Sequence, residues 1–345
     1  MKALGFEQHG GLEKIRLLTL PDPEPGPGEV RVAIRAAGFN HLDLFTLEGI
    51  PGIPIPLPHV LGGDGAGVVD RVGAGVEPSL VGQKVMVDPS LADGTCEYCR
   101  KGLENFCTNY RIVGEHTNGT AAEYLVIPRV NVVPLPPRLG FEEAAGVALV
   151  FMTAWHALRT VGEVREGDRV AIMGAGGGLV TAAQQVARHF GAHTVVVTRS
   201  NEKAAKARSL GADEVIVYDD PQKLSKVLWE ASGKRGFDVL FDSTGKATFG
   251  ASTRALSRGG RLVFCGATTG PVVEIDLRGL FWRGASLRGS TMATRAEFLE
   301  VYRLLSEGKF RPVIDRVFPL DEGKAALQRF QEGDVFGKVL VRVGQ

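Results

Sequence analysis

Val170-Ala171-Ile172-Met173-Gly174-Ala175-Gly176-Gly177-Gly178 reads as a short buried strand that runs into glycines, and a helix with Ala182, Ala183, Val186 and Ala187 on its apolar side follows. Glycines at such a turn let the backbone bend sharply and approach a pyrophosphate. The helix start adds free N–H groups and the positive end of its dipole. A glycine cluster by itself also fits a plain tight turn, so the context decides. Outward from the turn, residues 169–173, 194–198, 214–217, 239–242 and 261–265 read as strands. Residues 179–190, 202–210, 222–231 and a stretch near 249–256 read as helices. This alternation predicts an α/β, doubly wound parallel sheet, with a dinucleotide at the glycine turn.

The tip of the second strand refines the cofactor. About 20 residues beyond the glycines, NAD-preferring sites carry an acid for the ribose 2′-hydroxyl. Here that position is Thr198, followed by Arg199, Ser200 and Lys203. No carboxylate stands there and two cations are close, which suits a 2′-phosphate. The expectation is NADP(H), with NAD left open because Thr198 tolerates both.

Residues 1 to about 140 are different. Short β-branched runs at 30–34, 67–72, 84–87 and 124–127 are separated by proline and glycine turns, which predicts a β-rich region. After residue 289 a helix over 295–307 and strands near 316–318 and 338–341 complete the chain. At 345 residues there is room for two cores. A net charge of +1 gives no reason to expect a nucleic acid or an anionic membrane as partner. The longest apolar stretch, about 144–158, is short of the roughly 18 residues of a membrane span, and it contains Thr153 and His156. It reads as a buried helix. The N-terminus lacks the apolar run of a signal peptide, and a cytoplasmic protein is expected. Three of the four cysteines, Cys96, Cys99 and Cys107, lie within twelve positions. In a cytosolic setting that spacing suggests a metal lobe rather than disulfides.

Several segments together resemble the medium-chain dehydrogenase/reductase superfamily: GGDGAGVVDRVGAGV at 62–76, GTCEYCRKGLENFC at 94–107, AAEYLVIP at 121–128, GAGGGLV at 174–180, LGADEVIVY at 210–218 and FGKVLV at 336–341. The resemblance covers the whole chain. It implies a GroES-like β-rich catalytic domain from residues 1–149 and 290–345, with a Rossmann domain at 150–289 between them. It also implies a homodimer or homotetramer. For the cofactor it implies contacts from Gly174, Gly176, Gly177, Gly178, Leu179 and Val180. Thr153, Thr198, Arg199, Ser200, Lys203, Tyr218, Ser243, Thr244, Cys265, Gly266 and Ala267 complete that set. Val180 stands where the family usually has a last glycine, which implies a slightly shifted helix.

The family also has two zinc sites, and this chain treats them differently. The catalytic ligands would lie at Asn40, at the pair Gly63-Asp64 and at Leu149, so the thiolates and the imidazole are missing. One carboxylate does not build a three-ligand open site. His41 and His59 are the nearest residues from which a site could be improvised, and the expectation is no catalytic zinc. The structural lobe keeps its spacing at Asp93, Cys96, Cys99 and Cys107, with Asp as an oxygen ligand. A structural zinc is expected there; a lobe that folds with free thiols is the other reading.

The N-x-x-D of Asn40 to Asp43 is similar to that of the zinc-independent quinone and enone reductases. Their chemistry adds hydride to the carbon β to a carbonyl, and hydrogen-bond donors suffice for the enolate. The resemblance thus implies a small-molecule carbonyl substrate. Asn40 is the first candidate donor and His41 the second, with His41 also able to supply a proton near neutrality. Asp64, His116, Phe45 and Trp282 are candidates for contact with substrate. Plainer readings stand beside these. Asn40 holds backbone, Asp43 is a salt-bridge acid, and His59 is a loop residue. Phe45, Phe281 and Trp282 fill core or subunit interface. An alcohol or aldehyde dehydrogenase, and a non-catalytic NADPH-binding protein, are the alternatives to a quinone or enone reductase.

Overall fold

The computed structural model describes residues 1–344. The chain divides into two compact units, Met1–Val150 with Thr294–Gln345, and Phe151–Ala293.

In the first unit the strand Glu29–Gly38 is the organising element. It pairs antiparallel with Asp64–Val72 on one side and with Lys338–Arg342 on the other, and Tyr124–Pro128 also pairs with its first half. The sheet extends outward through Lys84–Val87 to Val132–Pro134, and through Lys338–Arg342 to Ile314–Pro319. β-Branched residues alternate inward along these strands, so Val30, Val32, Ile34, Val69, Val85, Val339 and Val341 are buried together. Each such side chain taken out of water contributes about 1.5–3 kcal/mol. The register then places polar residues. Gly38 lies opposite Asp64 on one neighbour and opposite Leu340 on the other. Continuing the antiparallel pairing by two residues sets Lys338 beside Asn40. A short helix, His41–Glu48, starts at that point. His59–Val60 pairs with Lys2–Phe6 in a separate small sheet and is buried, so His59 is a strand residue and not the loop residue expected.

The second unit is a six-stranded parallel sheet in the order Glu214–Val217, His193–Thr198, Arg169–Met173, Phe237–Asp242, Leu256–Phe264, Ser286–Gly289. This is the Rossmann arrangement expected. Its central strands are apolar on both faces because helices cover both: Val170, Ala171, Ile172, Val239, Leu240 and Phe241 are fully buried. Leu277–Arg283 and the edge strand Ser286–Gly289 are additions to the elements read from sequence. In the first unit the helix Gly323–Glu332 is another. The apolar run near 144–158 forms the helix Ala148–Trp155 and continues into a π-helical turn, His156–Val161. The helical run Phe141–Val161 is long and apolar enough to cross a membrane, and 78% of its most apolar window is buried, as in a core helix.

Candidate functional site

At the start of the helix His41–Glu48 a buried ammonium organises the first unit. Lys338 Nζ donates to Phe39 O at 2.7 Å, to Asn40 Oδ1 at 2.6 Å and to Asp64 Oδ2 at 2.8 Å. The Lys338 and Asp64 side chains are 3% and 0% exposed. All three ammonium hydrogens therefore have acceptors. Asp64 is equally engaged: Oδ2 also accepts from Asn40 Nδ2 at 3.0 Å, and Oδ1 accepts from Leu149 N at 2.7 Å. Asn40 is thereby oriented without ambiguity. An ammonium requires the amide oxygen and a carboxylate requires the amide nitrogen, so only one rotation of the amide satisfies both.

Asp43 lies one layer further in. Its carboxylate accepts from Asn40 N at 2.7 Å and from Gly62 N at 2.6 Å. Burial nevertheless outweighs these two donors and raises its pKa to about 6. The salt-bridge role expected for Asp43 is corrected: the carboxylate caps the helix start and pins the Gly62 turn, with no cation bonded to it among the described residues. Asp64, expected at the substrate, is likewise turned inward and saturated by Lys338, Asn40 and Leu149. His41 is exposed on the first helical turn, with its ring 4.6 Å from that of Phe330. Packing of the ring and the Lys338 charge lower its pKa. His59 Nε2 lies 3.1 Å from Gly114 O, and burial lowers its pKa. In the adjoining hairpin His116 Nδ1 accepts from Ile112 N at 3.2 Å, which ties the ring to its own turn. Phe45 is half-buried.

The residues at the catalytic-zinc positions do not fit a metal. A side-chain carbon at Gly63 would come within 3.2 Å of Leu149 Cδ1 and 3.6 Å of Asn40 Nδ2. The room that an imidazole and an ion need is occupied by Leu149 and Asn40. The polar atoms nearby already serve a cation, the Lys338 ammonium.

The cysteine lobe does fit one. Ligand atoms of Asp93, Cys96, Cys99 and Cys107 all lie within 4.8 Å of one another. Backbone N–H groups point at the sulfurs, from Asp93 and Asn109 to Cys107 and from Cys99 to Cys96. Such donors favour thiolates, and those around Cys96, the Cys99 N–H foremost, hold its pKa down to about 7. Asp93 Oδ1 accepts from Thr95 N and Cys96 N, and Oδ2 from Asn109 Nδ2, which keeps it ionised.

In the second unit the glycine turn has the geometry of an anion cradle. Gly174 adopts φ +94°, a conformation that favours glycine. Gly177 precedes the helix Gly178–His189 without a side-chain cap, and a side-chain carbon there would meet nothing within 4 Å. The first helical N–H groups are thus open to a phosphate. Val180 is buried, and its Cγ1 would lie 3.8 Å from a side-chain carbon at Gly174. Beyond the second strand, Thr198 Oγ1 accepts from Ser200 N, and Ser200 Oγ caps the next helix through Lys203 N. Arg199 is exposed and has no carboxylate partner among the described residues. Tyr218 is half-buried against the sheet core. Buried Asp242 ties down the turn after the fourth strand by accepting from Thr244 N, Gly245 N, Thr248 Oγ1 and Ser252 Oγ, and so places Ser243 and Thr244. Cys265, Gly266 and Ala267 line a cavity of about 520 Å³ with Phe249 and Phe264. The Cys265 thiol is pushed up to about 12 by burial, so it is inert. Thr153 is buried and donates toward Met292 Sδ at 3.8 Å. Trp282 corrects the reading as a pocket or core residue: it is 74% exposed, beside Phe281 at 69%.

Sequence reasoning missed two residues here. Lys338 lies inside the segment FGKVLV, and a lysine at the start of an otherwise apolar strand is itself a signal of a buried ion pair. Glu115, beside His116, is 5% exposed and its pKa is raised to about 7, first by burial and then by the Asp43 charge.

Comparison with known proteins identifies the family. Residues 26–137 match the alcohol dehydrogenase GroES-like domain, and residues 178–307 match the zinc-binding dehydrogenase family. A crystal structure of an NAD-dependent alcohol dehydrogenase is 42% identical over the whole of both chains, with a TM-score of 0.94. The acryloyl-coenzyme A reductase of Metallosphaera sedula is 33% identical over 99% of each chain. A 2-octenoyl-CoA carboxylase reductase, solved with NADP and 2-octenoyl-CoA, is 31% identical over 99% of this chain and 87% of its own, with a TM-score of 0.89. The chain belongs to the medium-chain dehydrogenase/reductase superfamily and is an NAD(P)-dependent oxidoreductase.

Proposed function

We propose that this protein is an NADPH-dependent reductase of α,β-unsaturated carbonyl compounds, with enoyl thioesters as the favoured class and quinones as a related one. The observation that carries this reading is the state of Asn40. Its amide oxygen accepts from an ammonium, which draws electron density from the amide and strengthens its N–H groups as donors. One Nδ2–H is held by Asp64, and the second has no acceptor among the described residues. A fixed, polarised donor is what an enolate oxygen needs. When bound, the nicotinamide supplies a hydride to the carbon β to the carbonyl. Asn40 then stabilises the developing oxyanion, and Asp64 and Lys338 keep Asn40 in place. The relatives named as an acryloyl-coenzyme A reductase and a 2-octenoyl-CoA carboxylase reductase support the substrate class.

The preference for NADPH over NADH is supported by Arg199 and Lys203 beside a carboxylate-free Thr198. A structural zinc at Asp93, Cys96, Cys99 and Cys107 is supported by four converging ligand atoms. A homo-oligomer is supported by the edge strand Ser286–Gly289 next to exposed Leu277, Phe281 and Trp282. Light scattering on the purified protein reads that state directly.

Alcohol oxidation is the second reading, favoured by the 42% identical alcohol dehydrogenase structure. NADPH oxidation with a short 2-enoyl thioester and with a cyclic enone, each with and without a strong chelator, separates the two. The expected result is alkene reduction that the chelator leaves unchanged. Alcohol oxidation that the chelator abolishes, without alkene reduction, overturns the proposal.

A further inference from the structure

Reducing an alkene consumes one proton besides the hydride, and the Lys338 ammonium beside Asn40 has all three of its hydrogens engaged by Phe39 O, Asn40 and Asp64. Four acids of the first unit are buried: Asp43, Asp64, Asp88 and Glu115. Three have structural employment. Asp43 holds two backbone N–H groups, Asp64 holds Lys338, Asn40 and Leu149 N, and Asp88 holds Arg295 at 2.6 Å and Ser90 N. Glu115 differs. Its carboxyl has no hydrogen-bond partner among the described residues, and its side chain is only 7% exposed. The nearest charged candidate is His116 Nδ1 at 3.8 Å. That nitrogen accepts from Ile112 N, so it carries no proton and offers no positive charge. A carboxylate so placed is costly, and the group keeps its proton instead.

Its position links it to Asn40. The backbone of Val113 and Gly114 packs directly on Gly62 and Gly63. Val113 O lies 3.3 Å from where Gly63 would carry a side chain, and on the same carbon Asn40 Nδ2 lies at 3.6 Å. Gly114 in turn abuts Gly62 O. The chain thus brings the loop bearing Glu115 against the turn that faces Asn40. The ionisable groups around it are few, and half-buried Tyr110, whose own pKa is raised first by burial and in part by the Glu115 charge, is one of them. Asp43 on the helix His41–Glu48 opposes its ionisation. His116 is on its own loop, and Arg111 at the start of that hairpin lowers the His116 pKa. His59 meets Gly114 O, and Asp64 and Lys338 are committed to each other.

We propose that Glu115 is the general acid of the reaction and delivers the proton to the α-carbon. This rests on the reductase reading above. As hydride forms the new C–H bond at the β-carbon, the alkene π pair moves to make the enolate. The enolate pair then forms a C–H bond at the α-carbon with the Glu115 proton. The Glu115 O–H bond breaks, the carboxylate remains, and it recovers a proton from water. One NADPH is oxidised and one alkene is reduced, with one proton taken up.

The test is turnover of a 2-enoyl thioester with NADPH in deuterium oxide, read by rate and by the face of deuterium at the α-carbon. For the wild type, deuterium enters on one face, and the rate falls as pH rises through about 7, where Glu115 loses its proton. For Glu115→Gln the expected loss is about 100-fold, with that pH limb gone and both faces labelled. Glu115→Asp, which keeps an acid, retains the limb. An active wild type whose Glu115→Gln variant keeps single-face labelling and the pH limb overturns this assignment alone. A wild type that leaves the alkene untouched overturns the reductase reading with it. Folding gives an independent check. The folded pKa lies above the ordinary 4.5, so burying Glu115 is without penalty below pH 4.5 and destabilises the fold as pH rises through 7. The Glu115→Gln variant is then expected to melt higher than wild type above pH 7 and level with it below pH 4.5. Identical melting differences at both pH values would mean the proton is not held by Glu115.

Discussion

Beside the helix His41–Glu48, one ammonium and the side chains of Asn40 and Asp64 satisfy each other, and Leu149 fills the remaining room. On the lobe around Cys96, four ligand atoms converge within 4.8 Å, and the hydrogen bonds they receive come from backbone amides, the Asn109 amide, the Thr95 hydroxyl and a neighbouring thiol, not from a cation. Both places correspond to zinc positions of the family. The first has exchanged an external cation for one carried by the chain, Lys338. The second has exchanged one thiolate for Asp93 and kept the arrangement open to an ion. The departure from a zinc site is thus local to the first place, while four side chains of metal-ligating type still converge at the second. It is specific to the site where chemistry is expected, and a directional donor, Asn40, stands in the vacated position.

The largest expected effect comes from breaking the first arrangement. Lys338→Met leaves Asp64 buried with no cation, and loss of one partner of a buried pair costs roughly 3–5 kcal/mol. Urea unfolding of the variant measures this. Adding Asp64→Leu removes the orphaned charge, and the double variant is expected to recover more than half of the loss. If Lys338→Met unfolds like the wild type, the internal cation is not what holds Asn40, and the contrast between the two places collapses.

A second, smaller effect concerns the Rossmann unit. Arg199 is exposed at the end of the strand His193–Thr198 with no competing carboxylate among the described residues, so a ribose 2′-phosphate would gain a charge-assisted bond there. Such bonds contribute about 1.5–3 kcal/mol. Arg199→Ala is therefore expected to raise KM for NADPH about tenfold, or somewhat more, while KM for NADH stays in place. Equal shifts for both cofactors would move Arg199 to a structural role.

How far the sequence foretold each region follows from the range of the interactions. The Rossmann unit was legible because its signals are local: β-branched runs, a glycine turn, and Thr198 at a fixed distance beyond it. Even the cysteine lobe declares itself through spacing within fifteen positions, from Asp93 to Cys107. By contrast, the Lys338–Asp64 pair spans 274 residues and the Lys338–Asn40 bond spans 298. Only strand register brings them together, and no short window contains it. His59 was read as a loop residue because a proline precedes it, although the bond to Gly114 O, also remote in sequence, buries it in a strand. Glu115 was invisible for the opposite reason. Its distinguishing property is a lack of partners, which sequence does not display. The strand Ser286–Gly289 was missed because its Ser-Leu-Arg-Gly composition has little β-branched character.

The smallest effect on turnover is expected at the second zinc position. Elemental analysis of the purified protein should return one zinc per chain, and Cys107→Ser should lower that count. Removing the ion with a strong chelator is expected to leave alkene reduction unchanged at low temperature. The lobe 90–112 contributes neither Asn40 nor Lys338, and a zinc held by Asp93, Cys96, Cys99 and Cys107 would have no open position for substrate. Stability should respond where activity does not. Ligand binding to the folded state alone adds to folding free energy, so the metal-free protein is expected to melt lower. The sulfurs would then have only backbone N–H groups and one another for partners. Turnover that falls in proportion to zinc removed would place the ion in the reaction and erase the distinction between the two positions. Unchanged turnover with a lowered melting point would locate the cation of the reaction centre in the chain itself, at Lys338.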